Sequence, residues 1–247
     1  MIFTIASKEL KILFSGPMAW IILAVLEIVL AYFFLSQVDA FLAIQPRLVA
    51  LANPPGVTEL IIPPLFGNAA IILLMAVPLL SMRLIAEERR NQTLNLLLSA
   101  PISVSEIILG KFFGLMIFLS LFISLATLMS LSLYAGATLD LGLLASNVIG
   151  LTLLAASFAA IGLFISSLTA HPIIAAIGSF GALLGLWIIN ISAHDPNSWL
   201  HVLSLMKHFE SFNRGIIASA DAVYFVLFIS LFLILAIRRL DSDRTHG

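Results

Sequence analysis

Long apolar runs separated by short polar breaks fill the chain, and the breaks mark out its elements. Runs lie at 17–37, 63–84, 104–135, 143–168, 172–192 and 222–238. Each can supply the roughly 20 apolar residues a helix needs to cross a bilayer. None shows the two-residue alternation of a membrane barrel strand. Residues 1–16 follow another pattern: Ile2, Ile5, Ala6, Leu10 and Leu13 share one helical face, opposite Thr4, Ser7, Lys8 and Lys11. That is the pattern of a short helix lying in the membrane interface. Gly16-Pro17 breaks it from the first run, which is expected to be a retained span because no small-x-small cleavage site follows. The expected fold is an all-α integral membrane domain over 1–247, with an N-terminal interfacial helix and six transmembrane helices.

The breaks differ in kind. Residues 38–62 carry Asp39, Arg47, Pro54-Pro55-Gly56 and Glu59 and are too polar and too broken to span. Pro78 is expected to kink the second span. Between spans 2 and 3, Arg83, Glu87, Glu88, Arg89 and Arg90 crowd together, then Leu94, Leu97 and Leu98 recur at i, i+3 and i+4 before Pro101. This predicts a helix over 85–100 with acids in its first turn. It must lie outside the hydrocarbon, where each charge would cost about 2.5–3.5 kcal/mol at mid-bilayer. Ser103 with Glu106 three residues later predicts a capping box at the start of span 3.

Composition agrees: 61% of residues are hydrophobic, 10% are charged, and mean hydropathy is +1.14. The net charge of −1 gives no footprint for a nucleic-acid partner. Zero cysteines exclude disulfides and thiolate chemistry. Charge matters by position. Nine of the 12 Lys and Arg residues (Lys8, Lys11, Arg83, Arg89, Arg90, Lys111, Arg238, Arg239 and Arg244) fall on one side of the layout, against Arg47, Lys207 and Arg214 on the other. The positive-inside bias puts both termini and the 85–100 helix in the cytoplasm, and 193–221 outside. Glu27 is the only acid deep in a span and is a candidate for a pathway or a subunit interface. Gly110-x-x-x-Gly114 and Gly181-x-x-x-Gly185 allow close helix approach, chiefly within the chain. His194, His201 and His208 recur every seven residues, which is about 10 Å along a helix and too far for shared metal ligation. No metal site is expected. Trp199, Phe209 and Phe212 are expected to settle this segment at the outer interface.

One stretch carries a family likeness. Glu87-Glu88-Arg89-Arg90, Thr93-Leu94, Leu96-Leu97-Leu98, Ala100-Pro101-Ile102-Ser103 and Glu106-Ile107-Ile108-Leu109-Gly110-Lys111 resemble the signature between spans 2 and 3 of type-2 ABC transporter permeases. A second segment, His208 to Gly215 followed by Ile217, Asp221 and Tyr224, resembles the subgroup of these permeases associated with gliding motility and copper-site maturation. Many members have Gly before the threonine at the position of Thr93, where this chain has Gln92. The resemblance implies a multi-pass protein of the bacterial inner membrane, working as the permease subunit of an ATP-driven exporter. It implies that 85–100 is a coupling helix seated on an ABC ATPase, with Glu87, Glu88, Arg89 and Thr93 docking and Leu94, Leu97 and Leu98 filling the groove. It also implies short helices dipping back into the membrane over 193–221, a second permease copy or a paralogue, contacts with membrane lipids, and an extracytoplasmic accessory protein. ATP and Mg are expected on the partner, since the chain contains no Gly-x-x-x-x-Gly-Lys-Ser/Thr loop. The chain itself is expected to bind no cofactor and to catalyse nothing.

Two other classes compete. An intramembrane hydrolase would need acid, base or metal groups at membrane depth, where only Glu27 stands. A mechanical or scaffold subunit, driven by an ATPase but moving no cargo, would use the same docking helix.

Overall fold

Helix follows helix throughout the computed structural model, which describes residues 1–48, 55–99, 102–192 and 204–246. In chain order they are α1 (Ile2–Ser15), α2 (Pro17–Leu48), α3 (Val57–Ser81), α4 (Ala86–Arg90), α5 (Leu94–Ser99), α6 (Val104–Ser132), α7 (Leu141–Leu168), α8 (Pro172–Ser192), α9 (Leu205–Asn213) and α10 (Ser219–His246). A 3₁₀ turn, Leu133–Ala135, ends α6. There is no strand among the described residues. Five helices, α2, α3, α6, α7 and α10, are long and apolar enough to cross a membrane, and α8 contributes a shorter apolar stretch, Pro172–Ile188.

The bundle is organised around α7, which packs against α3, α6, α8, α9 and α10. In both α3 and α7, 67% of the most apolar window is buried, against 22% in α2 and 17% in α10. The outer helices therefore turn apolar side chains such as Ile28, Tyr32, Leu227 and Leu231 outward. In water such faces would be an aggregation hazard; in hydrocarbon they cost nothing.

Two ends can be told apart. Ser166 and Ser167, at the close of α7, meet the turn between α3 and α4 and α4 itself. Ser146 and Asn147, about 30 Å away along the same helix, meet the end of α9: Ser146 Oγ donates to the Phe212 carbonyl at 2.8 Å and Asn147 Nδ2 to that of Asn213 at 3.3 Å. Gly150 lets α9 approach, since a Cβ there would stand 2.4 Å from the Phe212 Cβ. Thr58 fastens the start of α3 to the same end, accepting from Asp140 N–H at 3.2 Å.

Several expected boundaries move. The first span is the front of α2, which continues to Leu48 through Asp39, with Pro46 in its last turn. α3 begins at Val57, ahead of Pro63 and Pro64, and continues through Pro78 to Ser81. α10 runs past 238 to His246. The helices extend beyond the apolar run at the end of α2 and α10 and at the start of α3, because a helix needs no lipid to persist. Phe209 and Phe212 are not interface anchors: both are buried in the core, Phe212 beside Phe225. His208 Nδ1 meets Asp221 Oδ1 at 2.6 Å and the ring stacks on Tyr224, 3.9 Å between centroids. Trp199, His194 and His201, with the rest of 193–203, lie outside the described residues, as does Pro101.

Candidate coupling site

The charged segment between α3 and α6, the hub, is folded onto the bundle end and not held away from it. Its first turn is stitched by one hydroxyl. Ser166 Oγ accepts from the N–H groups of Ile85 (3.2 Å) and Ala86 (3.1 Å) and donates to the Met82 carbonyl (3.1 Å). Those groups flank a helix start and would otherwise have no partner. Leu84, Ile85 and Ala86 are buried beneath it.

The single helix expected over 85–100 is two helices. α4 stops at Arg90, Gln92 takes φ +57°, and α5 begins at Leu94. A left-handed residue ends a helix by turning the chain, with Gly the least strained choice. Thr93 closes the turn onto Glu88, whose carbonyl accepts from Thr93 N–H (3.0 Å) and Oγ1 (3.2 Å). The break reorients α5, and Leu94 enters the chain's own core, only 5% exposed. Leu94 is therefore not free to fill a partner's groove. Leu97 is half-buried against the same core, and the Leu98 side chain lies outside the described residues.

Glu88 and Arg89 face inward, each into an ion pair. Lys111, on α6, is 1% exposed and donates from Nζ to Glu88 Oε1 and to Glu9 Oε1 of α1, both at 2.8 Å. A lysine so buried requires a carboxylate partner. Gly110 and Gly114 let α1 lie against α6: added Cβ atoms would fall 2.6 Å from the Ile5 Cβ and 2.8 Å from the Glu9 Cβ. Arg89 pairs with Asp243 of α10 and donates to the Ser167 carbonyl at 2.9 Å. Arg239 lies 3.7 Å from Asp243 in the same cluster. The hub is thus tied by charge to α1, α6 and α10, and by hydrogen bonds to α7. Across the short link to α6, the capping box expected from Ser103 and Glu106 is present, with both reciprocal bonds made.

The hub's exposed face keeps Glu87, Arg90, Thr93 and Leu96. Leu96 is 73% exposed, the most exposed large apolar side chain described in the hub. It is an exposed apolar residue at the edge of a charged surface. Sequence reasoning passed over Glu9, Asp243 and Ser166, and quoted Leu96 only within the family signature, without a role. Lys111 carried a signal, being a cation with Ile107 and Leu115 at i−4 and i+4, positions that share its helical face. Glu27, in α2, is half-buried; both its carboxylate oxygens are buried and have no hydrogen-bond partner among the described residues.

A family model described as ABC-2 family transporter protein matches residues 3–243. The chain belongs to the ABC-2 transporter family. No curated protein is significantly similar to it. Members of the ABC-2 family are the membrane, permease components of ABC transporters, and the family implies association with ABC ATPase subunits. As an ABC-2 protein with several apolar helices, the chain is a multi-pass membrane protein.

Proposed function

We propose that the chain is the permease subunit of an ATP-driven exporter in a bacterial inner membrane, coupled through its hub to a separate cytoplasmic ATPase. The observation that carries this reading is the double character of the hub. One face, with Glu87, Thr93 and Leu96, is open; the other is wired to four helices by Lys111, Glu9, Asp243 and Ser166. A segment built this way converts a push on its outer face into movement of the bundle. Glu88 and Arg89 then act as tethers that pass the push inward, and Glu87, Thr93, Leu96 and Leu97 make up the docking surface. ATP and Mg belong to the partner, whose closure on nucleotide shifts the permease between conformations.

Six crossings and cytoplasmic termini fit the geometry. Glu9 near the start and Asp243 near the close both meet the hub, which requires an even number of crossings. α8 starts beside the hub end of α7, and α9 lies at the other end, so α8 supplies the sixth. A backbone of 21 residues is about 31 Å long, enough for a hydrocarbon core. Two permease chains, identical or paralogous, complete the assembly, with Glu27 at their interface or pathway. The subgroup linked to gliding motility and copper-site maturation is supported by the joint packing of His208, Phe212, Asp221, Tyr224 and Phe225.

Co-purification tests the reading. Leu96→Asp with Glu87→Lys is expected to lose the ATPase while the permease stays folded in detergent; undiminished capture would remove the docking role. Cargo-stimulated ATPase activity in proteoliposomes is expected of an exporter and would not be seen with a subunit that only transmits force.

A further inference from the structure

A cavity of about 420 Å³ opens between α1, the start of α2, the hub end of α3, and α4. Its walls change character along its depth. One end is apolar, lined by Ile12, Leu13, Met18, Ile22, Leu79 and Leu80. Ile12, Met18 and Leu79 are more than 40% exposed there, so this end is continuous with the faces that hydrocarbon covers. The other end is charged, lined by Lys8, Arg83, Glu87 and the Glu9–Lys111–Glu88 cluster. That cluster has two carboxylates and one ammonium and so carries one surplus negative charge. Its second Glu88 oxygen, Oε2, accepts no hydrogen bond. Lys8, Arg83 and Glu87 are exposed and make no ion pair among the described residues. The charged end thus offers two cations and one acid without ion-pair partners, beside a cluster with a surplus negative charge.

From this we infer that the cavity binds the headgroup of a membrane phospholipid bearing both a phosphodiester and a primary ammonium. Lys8 and Arg83 hold the phosphate, and Glu87 receives the ammonium. The volume suits a headgroup with its glycerol, the acyl chains lying against Ile12, Met18 and Ile22. Charge complementarity rejects the alternatives. A purely anionic headgroup would bring no cation to the acids. A choline headgroup has the charge but no N–H to donate, and hydrogen bonds to charged groups carry much of the discrimination. The bound lipid bridges α1 to the hub beside the Lys111 cluster. This site shares Glu87 with the proposed docking surface, but its test uses no nucleotide and no ATPase, so either reading can fail without the other.

The purified full chain is equilibrated with an equimolar mixture of phosphatidylethanolamine, phosphatidylcholine and phosphatidylglycerol of identical acyl chains, and retained lipid is counted by native mass spectrometry. The ethanolamine lipid is expected to be retained about tenfold over each of the others, the ratio that one charge-assisted hydrogen bond supports. Equal retention of the ethanolamine and choline lipids, or preference for the glycerol lipid, overturns the proposal. A photoreactive ethanolamine lipid locates the site: cross-links to α1 and the hub are expected, and cross-links confined to α10 or α8 overturn it. Glu87→Gln is expected to bring retention of the ethanolamine lipid down to the choline level, and Lys8→Gln with Arg83→Gln to lower retention of all three lipids. The wild-type comparison decides the matter if these variants do not fold.

Discussion

Lys111 shows how a single side chain can be misjudged from sequence. Counted among the cations on one side of the membrane, it is also the buried centre of an ion cluster holding α1 and α4 to α6. Its value lies less in net stabilisation than in what its removal would leave. Two buried carboxylates without a cation cost far more than the pair contributes when intact. Lys111→Met is therefore expected to destabilise the chain by about 3–5 kcal/mol, read as a lowered unfolding midpoint in detergent. Adding Glu9→Gln and Glu88→Gln to that variant is expected to recover much of the loss; no recovery would mean that packing, not charge, sets the penalty. Gln92 makes the opposite case. It occupies φ +57°, where a side chain costs about 1 kcal/mol that glycine avoids. Gln92→Gly is expected to raise stability by up to about that amount and to leave α4 and α5 in place. Unchanged or lower stability would show that the Gln92 side chain makes a compensating contact.

Helices were legible in the sequence wherever hydrophobicity alone defined them, and blurred where a helix left the membrane. Runs of apolar residues located α3, α6, α7, α8 and α10, and the Ser103–Glu106 spacing predicted a cap that is made in full. The ends of α2 and α10 were not legible, since Asp39 or Arg238 is a reason to leave lipid but not to stop a helix. Leu240 shows why α10 persists: it is fully buried although it follows two arginines. The split between α4 and α5 was hidden for another reason. It depends on a left-handed residue at Gln92, where the glycine of many family members is the one hint and glutamine itself gives none, while the start of α4 depends on a serine 81 residues away in sequence, which has no local signature. That serine is testable at the scale of the element it holds. Ser166→Ala leaves the Ile85 and Ala86 N–H groups buried without an acceptor, at about 1–3 kcal/mol for each unsatisfied group. Hydrogen exchange of the segment 82–90 is expected to quicken while that of α7 stays slow. Equal protection in the variant would mean that the hub turn is held by packing alone.

At the scale of the whole molecule, the arrangement rests on which end of the bundle faces the cytoplasm. Structure supplies a relation that sequence could only infer: Glu9 of α1, the hub and Asp243 of α10 are joined at one end, while α9 and the start of α7 share the other. The charge bias then orients the pair. Lys8, Lys11, Arg83, Arg90, Lys111 and Arg238 gather at the hub end, and Lys207 and Arg214 at the α9 end, so the hub end is expected to stay on the cytoplasmic side. The absence of native cysteine makes the test clean, because one introduced thiol reports one position. Leu96→Cys places a thiol on the exposed hub face, and Glu210→Cys places one on α9, where the native side chain is 54% exposed. In right-side-out vesicles a membrane-impermeant maleimide is expected to label position 210 and spare position 96; inverted vesicles are expected to reverse the pattern. Labelling of position 96 from outside would put the hub beyond the reach of a cytoplasmic ATPase. Labelling of both positions from one side would break the rule that α7 separates them across the bilayer.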